Sequence, residues 1–152
     1  MQQRTEDVLK AKAGLFIDPD VPRIQGNENW NNFIQRVNVS PEQTALVIDN
    51  ENKLIGMITS QEIIGALSEP DKAEKIKANT VTASDIMKEL RPDSGTVAQA
   101  SDTLESVLNI LKGKNPLNKR LKVVPIVDQR GSPLGQITRN VIQKRLDDIL
   151  EE

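Results

Sequence analysis

Val47-Ile48-Asp49, a five-residue spacer and Ile55-Gly56-Met57-Ile58-Thr59 return 79 positions later as Ile126-Val127-Asp128, five residues and Leu134-Gly135-Gln136-Ile137-Thr138. A repeat of this length marks one supersecondary unit used twice. Working outward, Asp7-Val8-Leu9-Lys10 parallels Asp85-Ile86-Met87-Lys88 at an offset of 78. Two copies therefore fill the chain, 1–78 with a lead-in helix and a connecting linker, and 79–152.

Inside each copy the hydrophobic period switches. Trp30, Phe33, Ile34 and Val37 fall at i, i+3, i+4 and i+7, as do Leu104, Val107, Leu108 and Leu111, which predicts one amphipathic helix per copy. Asp102 with Glu105 three residues on reads as the cap of the second helix, and Asn27 or Glu28 as the opening of the first. Two β-type runs follow each helix: Ala45 to Asp49 and Leu54 to Thr59, then Val123 to Asp128 and Leu134 to Thr138, each pair joined by a turn of hairpin length. A second helix comes next, from Gln61 to about Leu67, with Ile63, Ile64 and Leu67 expected inward, and from Asn140 to the C-terminus. The charged stretch from Ser68 to Asn79 reads as the partly helical connection between copies. The fold class is α/β in the α+β sense: two pseudo-symmetric units of strand, helix, strand, strand, helix. Val47, Ile58, Val127 and Ile137 are expected in the core, and Trp30 belongs there with its apolar stripe partners.

Composition narrows the chemistry. The 152 residues are 37% hydrophobic and contain no cysteine, histidine or tyrosine; the aromatic residues are Phe16, Trp30 and Phe33. Cys- or His-based nucleophiles, imidazole or thiolate metal sites, thiol redox chemistry and stacking platforms for single strands are thereby excluded. The carboxylates and lysines form no catalytic constellation, so no enzyme is expected. With 20 Lys+Arg against 22 Asp+Glu the net charge is −2, which gives no global attraction to nucleic acid or anionic lipid. The N-terminus lacks the apolar core of a signal peptide, and no apolar run approaches a span of ~20 residues. A cytoplasmic location with no membrane insertion is expected.

These residues resemble a tandem pair of cystathionine-beta-synthase (CBS) domains, a Bateman module. The second copy carries the pattern in Ser84-Asp85-Ile86-Met87, Thr96-Val97, Asp102-Thr103-Leu104, Val124-Pro125-Ile126-Val127-Asp128 and Gly135-Gln136-Ile137-Thr138; the best segment of the first runs from Leu46 to Leu67. The resemblance implies two units packed sheet to sheet, with two clefts that take adenosine-containing ligands such as AMP, ADP, ATP or S-adenosylmethionine. It implies a sensor, with no catalytic cofactor, that controls its own assembly or a partner such as an enzyme or transporter. A homodimer is expected, with Ile149 and Leu150 as spare apolar positions on the final helix. The alternative is a structural dimerisation or protein-interaction module whose clefts are degenerate and empty.

The ligand signature implied by the resemblance is Gly, two residues, Thr or Ser, two residues, Asp, in which the hydroxyl and helix N-terminus address phosphate and the carboxylate takes the ribose hydroxyls. Thr59 and Thr138 match the hydroxyl; their plain reading is helix capping. The acidic position holds Glu62 in the first copy and Val141, which accepts no hydrogen bond, in the second. Gly56 and Gly135 permit the close backbone approach that both the fold and an adenosine ring require. Lys112, Lys114, Lys119, Arg120 and Lys122 bring five positive charges with no acid between Glu105 and Asp128. Lys122, just before a strand, pairs with Thr138 as a candidate phosphate site, against the plain reading of a solvated basic loop. The first copy has Gln43 and Thr44 at the corresponding place. Ribose recognition thus favours the first copy, through Thr59 and Glu62, and phosphate recognition the second.

Overall fold

A computed structural model describes residues 7, 9–90, 96–112 and 123–144. The chain divides into two compact units. The first-repeat unit holds residues from Asp20 to the end of the first described stretch, with Gly131–Pro133; the second-repeat unit holds the described residues up to Pro19, those from Thr96 to Arg130, and those from Leu134 onward. The sequence copies and the compact bodies are different divisions of the chain.

In the first-repeat unit the order is β1 (Arg23–Gln25), α1 (Trp30–Asn38), β2 (Ala45–Ile48), β3 (Leu54–Ile58), α2 (Ser60–Ser68), α3 (Pro70–Lys77), α4 (Ala83–Ile86) and β4 (Lys88–Glu89). Its sheet runs β1-β2-β3-β4, with β1 parallel to β2 and the other neighbours antiparallel. The second-repeat unit begins with a 3-10 turn over Ala13–Phe16 and continues with β5 (Ala98–Gln99), α5 (Leu104–Lys112), β6 (Val123–Val127), β7 (Pro133–Thr138) and a helix, α6, over the described residues 139–144. Its sheet runs β5-β6-β7. The charged connection becomes α3 because Pro70 sits at the first helical position, where its missing N–H costs nothing, and Ile76 anchors the helix in the core.

The two cores correspond position by position. On the helix side, Trp30, Phe33 and Val37 answer to Leu104, Val107 and Leu111; on the sheet side, Ala45, Val47 and Ile58 answer to Val124, Ile126 and Ile137. All are buried, as is Val127, and the expectation of a core at Val47, Ile58, Val127 and Ile137 is met. Trp30 packs edge-on against Phe33 with centroids 5.7 Å apart. The hairpin turns match too: Asp49 Oδ1 accepts the Glu51 amide and Asp128 Oδ1 the Arg130 amide, while Asn52 and Gly131 take the left-handed conformation.

Two expectations are corrected. The second helix starts at Leu104, not behind an Asp102 cap: Thr103 Oγ1 accepts the Ser106 amide, while Asp102 Oδ2 accepts the Gln99 amide at 2.8 Å. Glu28 does the same one repeat earlier, accepting the Gln25 amide, and the first helix opens after Asn29. These acids brace the strand-to-helix turn rather than the helix.

The lead-in pairing is also different. Ala83 and Ser84 donate to the Glu28 and Gly26 carbonyls, and Trp30 donates to Val81; Ala13 and Gly14 donate to Asp102 and Ala100, and Leu104 donates to Ala11. The counterpart of Asp85-Ile86-Met87-Lys88 is therefore Leu15-Phe16-Ile17-Asp18, not Asp7-Val8-Leu9-Lys10. The segment ahead of each repeat is built into the unit of the other repeat.

Candidate functional site

The strand-to-helix junctions place the expected residues. In the first-repeat unit Thr59 follows β3 and caps α2: its Oγ1 accepts the Gln61 amide at 3.2 Å, and its own amide and hydroxyl both donate to Glu62 Oε1, at 2.9 and 2.8 Å. Thr59 and Glu62 thus come together in a closed capping box. In the second-repeat unit Thr138, nearly buried, accepts the Val141 amide at 3.2 Å, and Val141 supplies no group to return the bond. Arg139 turns back to donate to the Leu111 carbonyl near the end of α5. Lys122 and the Lys114–Arg120 cluster lie outside the described residues, as do Ile149 and Leu150.

Gly56 and Gly135 serve the fold directly. A Cβ on Gly56 would lie 2.5 Å from Met87 Sδ and 2.8 Å from the Lys88 carbonyl oxygen, and one on Gly135 would lie 2.4 Å from the Asp18 carbonyl oxygen. Gly135 also has a φ of +154°. The same exchanged segment crosses each glycine: Met87-Lys88 over the first and Ile17-Asp18 over the second.

At the place of Lys122 the first unit has a turn, Pro41–Gln43, in which Glu42 and Gln43 both take positive φ. Thr44, buried, donates its amide to Ser40 Oγ at 2.8 Å. A shallow groove of about 370 Å³ beside α3 is lined by Lys72, Lys75, Thr80, Val81 and Asp85; it has no counterpart among the expected site residues, and Lys72 lies 3.7 Å from Glu69. Among the described residues no three Asp or Glu side chains gather into a metal site. No helix among them is long and apolar enough to cross a membrane.

Gln136 was not singled out by the sequence reading. It is 0% exposed, and neither Oε1 nor Nε2 has a hydrogen-bond partner. Its repeat counterpart is Met57, so the signal available in the sequence was a polar residue at an apolar position of the repeat.

A family model for the CBS domain matches residues 17–69. The fold is like that of CBS-domain structures over nearly the whole chain. A CBS domain-containing protein of unknown function from Bacillus anthracis str. Ames Ancestor superposes with a TM-score of 0.72 at 18% identity, over 95% of this chain and 98% of that one. CBSX2 in complex with AMP gives 0.66 at 20% identity, over 90% and 97%, and CbpB in complex with c-di-AMP gives 0.73 at 16% identity, over 99% and 93%. No curated protein matches the sequence.

Proposed function

We propose that the chain is a regulatory, ligand-sensing CBS pair that binds an adenine nucleotide or another adenosyl ligand and controls its own assembly or a partner such as an enzyme or transporter, without catalysing a reaction. The observation that carries this reading is fold likeness over nearly the whole chain to two structures that hold AMP and c-di-AMP. A ligand that prefers one arrangement by ~1 to 3 kcal/mol shifts populations 5- to 150-fold, so sensing needs no large binding energy.

Ribose recognition is assigned to Thr59 with Glu62, and phosphate recognition to Thr138 with Lys122. Gly56 and Gly135 supply the close approach of backbone at each site. Oε1 of Glu62 is engaged in the cap, so a ribose would have to share this carboxylate. Calorimetric titration with AMP, ADP, ATP, c-di-AMP and S-adenosylmethionine tests the reading; absence of heat with all of them sinks it. Glu62→Gln keeps an acceptor for the capping box while removing the charge, and is expected to weaken nucleotide binding roughly 5- to 150-fold. An unchanged affinity would reject the ribose assignment.

A second reading, an interaction module with empty clefts, is favoured by one observation: both site threonines already act as helix caps. The homodimer belongs to either reading. Ile64 and Leu67 on α2, expected inward, are instead 63% and 51% exposed, because the helix turns Ala66 and Ile63 to the core, and they support an apolar contact surface. Sedimentation at high micromolar concentration distinguishes a dimer from a single 16.9 kDa species.

A further inference from the structure

We propose that the side-chain amide of Gln136 reads the base of an adenosyl ligand held at the second-repeat unit beside Thr138, a site distinct from the ribose contact assigned to Thr59 and Glu62; this deepens the adenosyl-ligand reading and rests on it. The strand around Gln136 is fixed, since its amide donates to the Asp18 carbonyl at 3.1 Å and its carbonyl accepts the Asp18 amide at 2.8 Å. Only the side-chain amide is left over, desolvated and unpartnered. Native interiors hold few such groups, and each one weakens the fold. The fold does not demand it, because Met57 occupies the same place in the first repeat and brings no polar atom to satisfy.

The chemistry of a primary amide is specific: an N–H donor and a C=O acceptor side by side, matching the amino group and adjacent ring nitrogen of adenine. Alternation along β7 puts Gln136 and Thr138 on one face, the face opposite the core residue Ile137. The base-reading amide and the hydroxyl assigned to phosphate are therefore about 7 Å apart along one strand. Three rotatable bonds let the amide turn toward a ligand while the bridge to Asp18 holds the backbone. A ligand that pairs with it gains its hydrogen bonds and relieves an existing penalty, so affinity responds strongly to its loss.

The test is titration of the full chain and of Gln136→Met, the repeat's own alternative, with AMP and with ribose 5-phosphate, alongside thermal unfolding without ligand. Gln136→Met is expected to unfold at a higher temperature and to bind AMP about 10- to 100-fold more weakly, with ribose 5-phosphate binding unchanged within about twofold. The mirror change Met57→Gln is expected to leave AMP affinity within about threefold. Equal AMP affinity in the parent and Gln136→Met overturns the base assignment and leaves the adenosyl reading standing. An equal loss for AMP and ribose 5-phosphate also overturns it. A parent that binds no adenosyl compound overturns both.

Discussion

The two repeat units use one junction differently. In the first, Thr59 and Glu62 close on each other, so the start of α2 is satisfied within the chain. In the second, Thr138 receives one amide and Val141 returns nothing, while the neighbouring Gln136 carries an amide with no partner. The first junction is finished by the fold and the second leaves polar capacity unused. Pseudo-symmetry fixes where side chains stand, and the residue type decides whether a position is spent on stability.

The sharpest way to break this comparison is at the glycines. Gly135→Ala is expected to cost about 3 kcal/mol or more, because the new Cβ meets backbone at Asp18 and the residue has positive φ. Gly56→Ala should cost about 2 kcal/mol, since Met87 Sδ can swing aside although the Lys88 carbonyl cannot. Urea denaturation of the two variants checks the order; equal losses would mean that the positive φ and the backbone clash at Gly135 add nothing to its cost. Next come the caps. Thr59→Ala should cost about 1 to 2 kcal/mol and Thr138→Ala about 0.5 to 1 kcal/mol, the difference being the reciprocal bonds to Glu62.

A smaller gain is expected at Gly65, whose repeat counterpart is Lys144. Gly65 stands in α2 with open space around its Cβ position, so Gly65→Ala should stabilise by about 0.5 to 1 kcal/mol, read as a higher midpoint in thermal unfolding. Smallest of all, Lys72→Ala should change stability by less than about 0.5 kcal/mol in the same assay, because its contact to Glu69 is exposed.

What the sequence made legible was periodic. The stripe of Trp30, Phe33 and Val37, its partner stripe of Leu104, Val107 and Leu111, and the paired strands all carry spacings that only one secondary structure buries. The exchange of lead-ins was not legible. Val81 to Lys88 and Ala11 to Asp18 share only the alanine at 83 and 13, and what makes them equivalent is a set of backbone hydrogen bonds that leave no side-chain signature. The similarity of Asp7-Val8-Leu9-Lys10 to Asp85-Ile86-Met87-Lys88 was the stronger pattern and led to the wrong register. At the site, the threonines were readable from spacing, whereas the capture of Glu62 by the cap depends on side-chain rotamers. Gln136 escaped notice because a polar residue on a strand ordinarily faces water.

The exchanged segments also bear on how the chain is made. When residues up to about 78 have emerged during synthesis, the first-repeat unit still lacks the Val81–Glu89 stretch that pairs with α1 and β3. The earlier segment from Ala11 to Asp18, with the apolar Phe16 and Ile17, waits for partners more than eighty residues away in sequence, at Ala100, Asp102 and Gln136. Closing such distant contacts is slow, and it keeps apolar surface open meanwhile. A cut at the repeat boundary would leave each half carrying a piece that belongs to the other, so the two halves are expected to regain structure together and not singly.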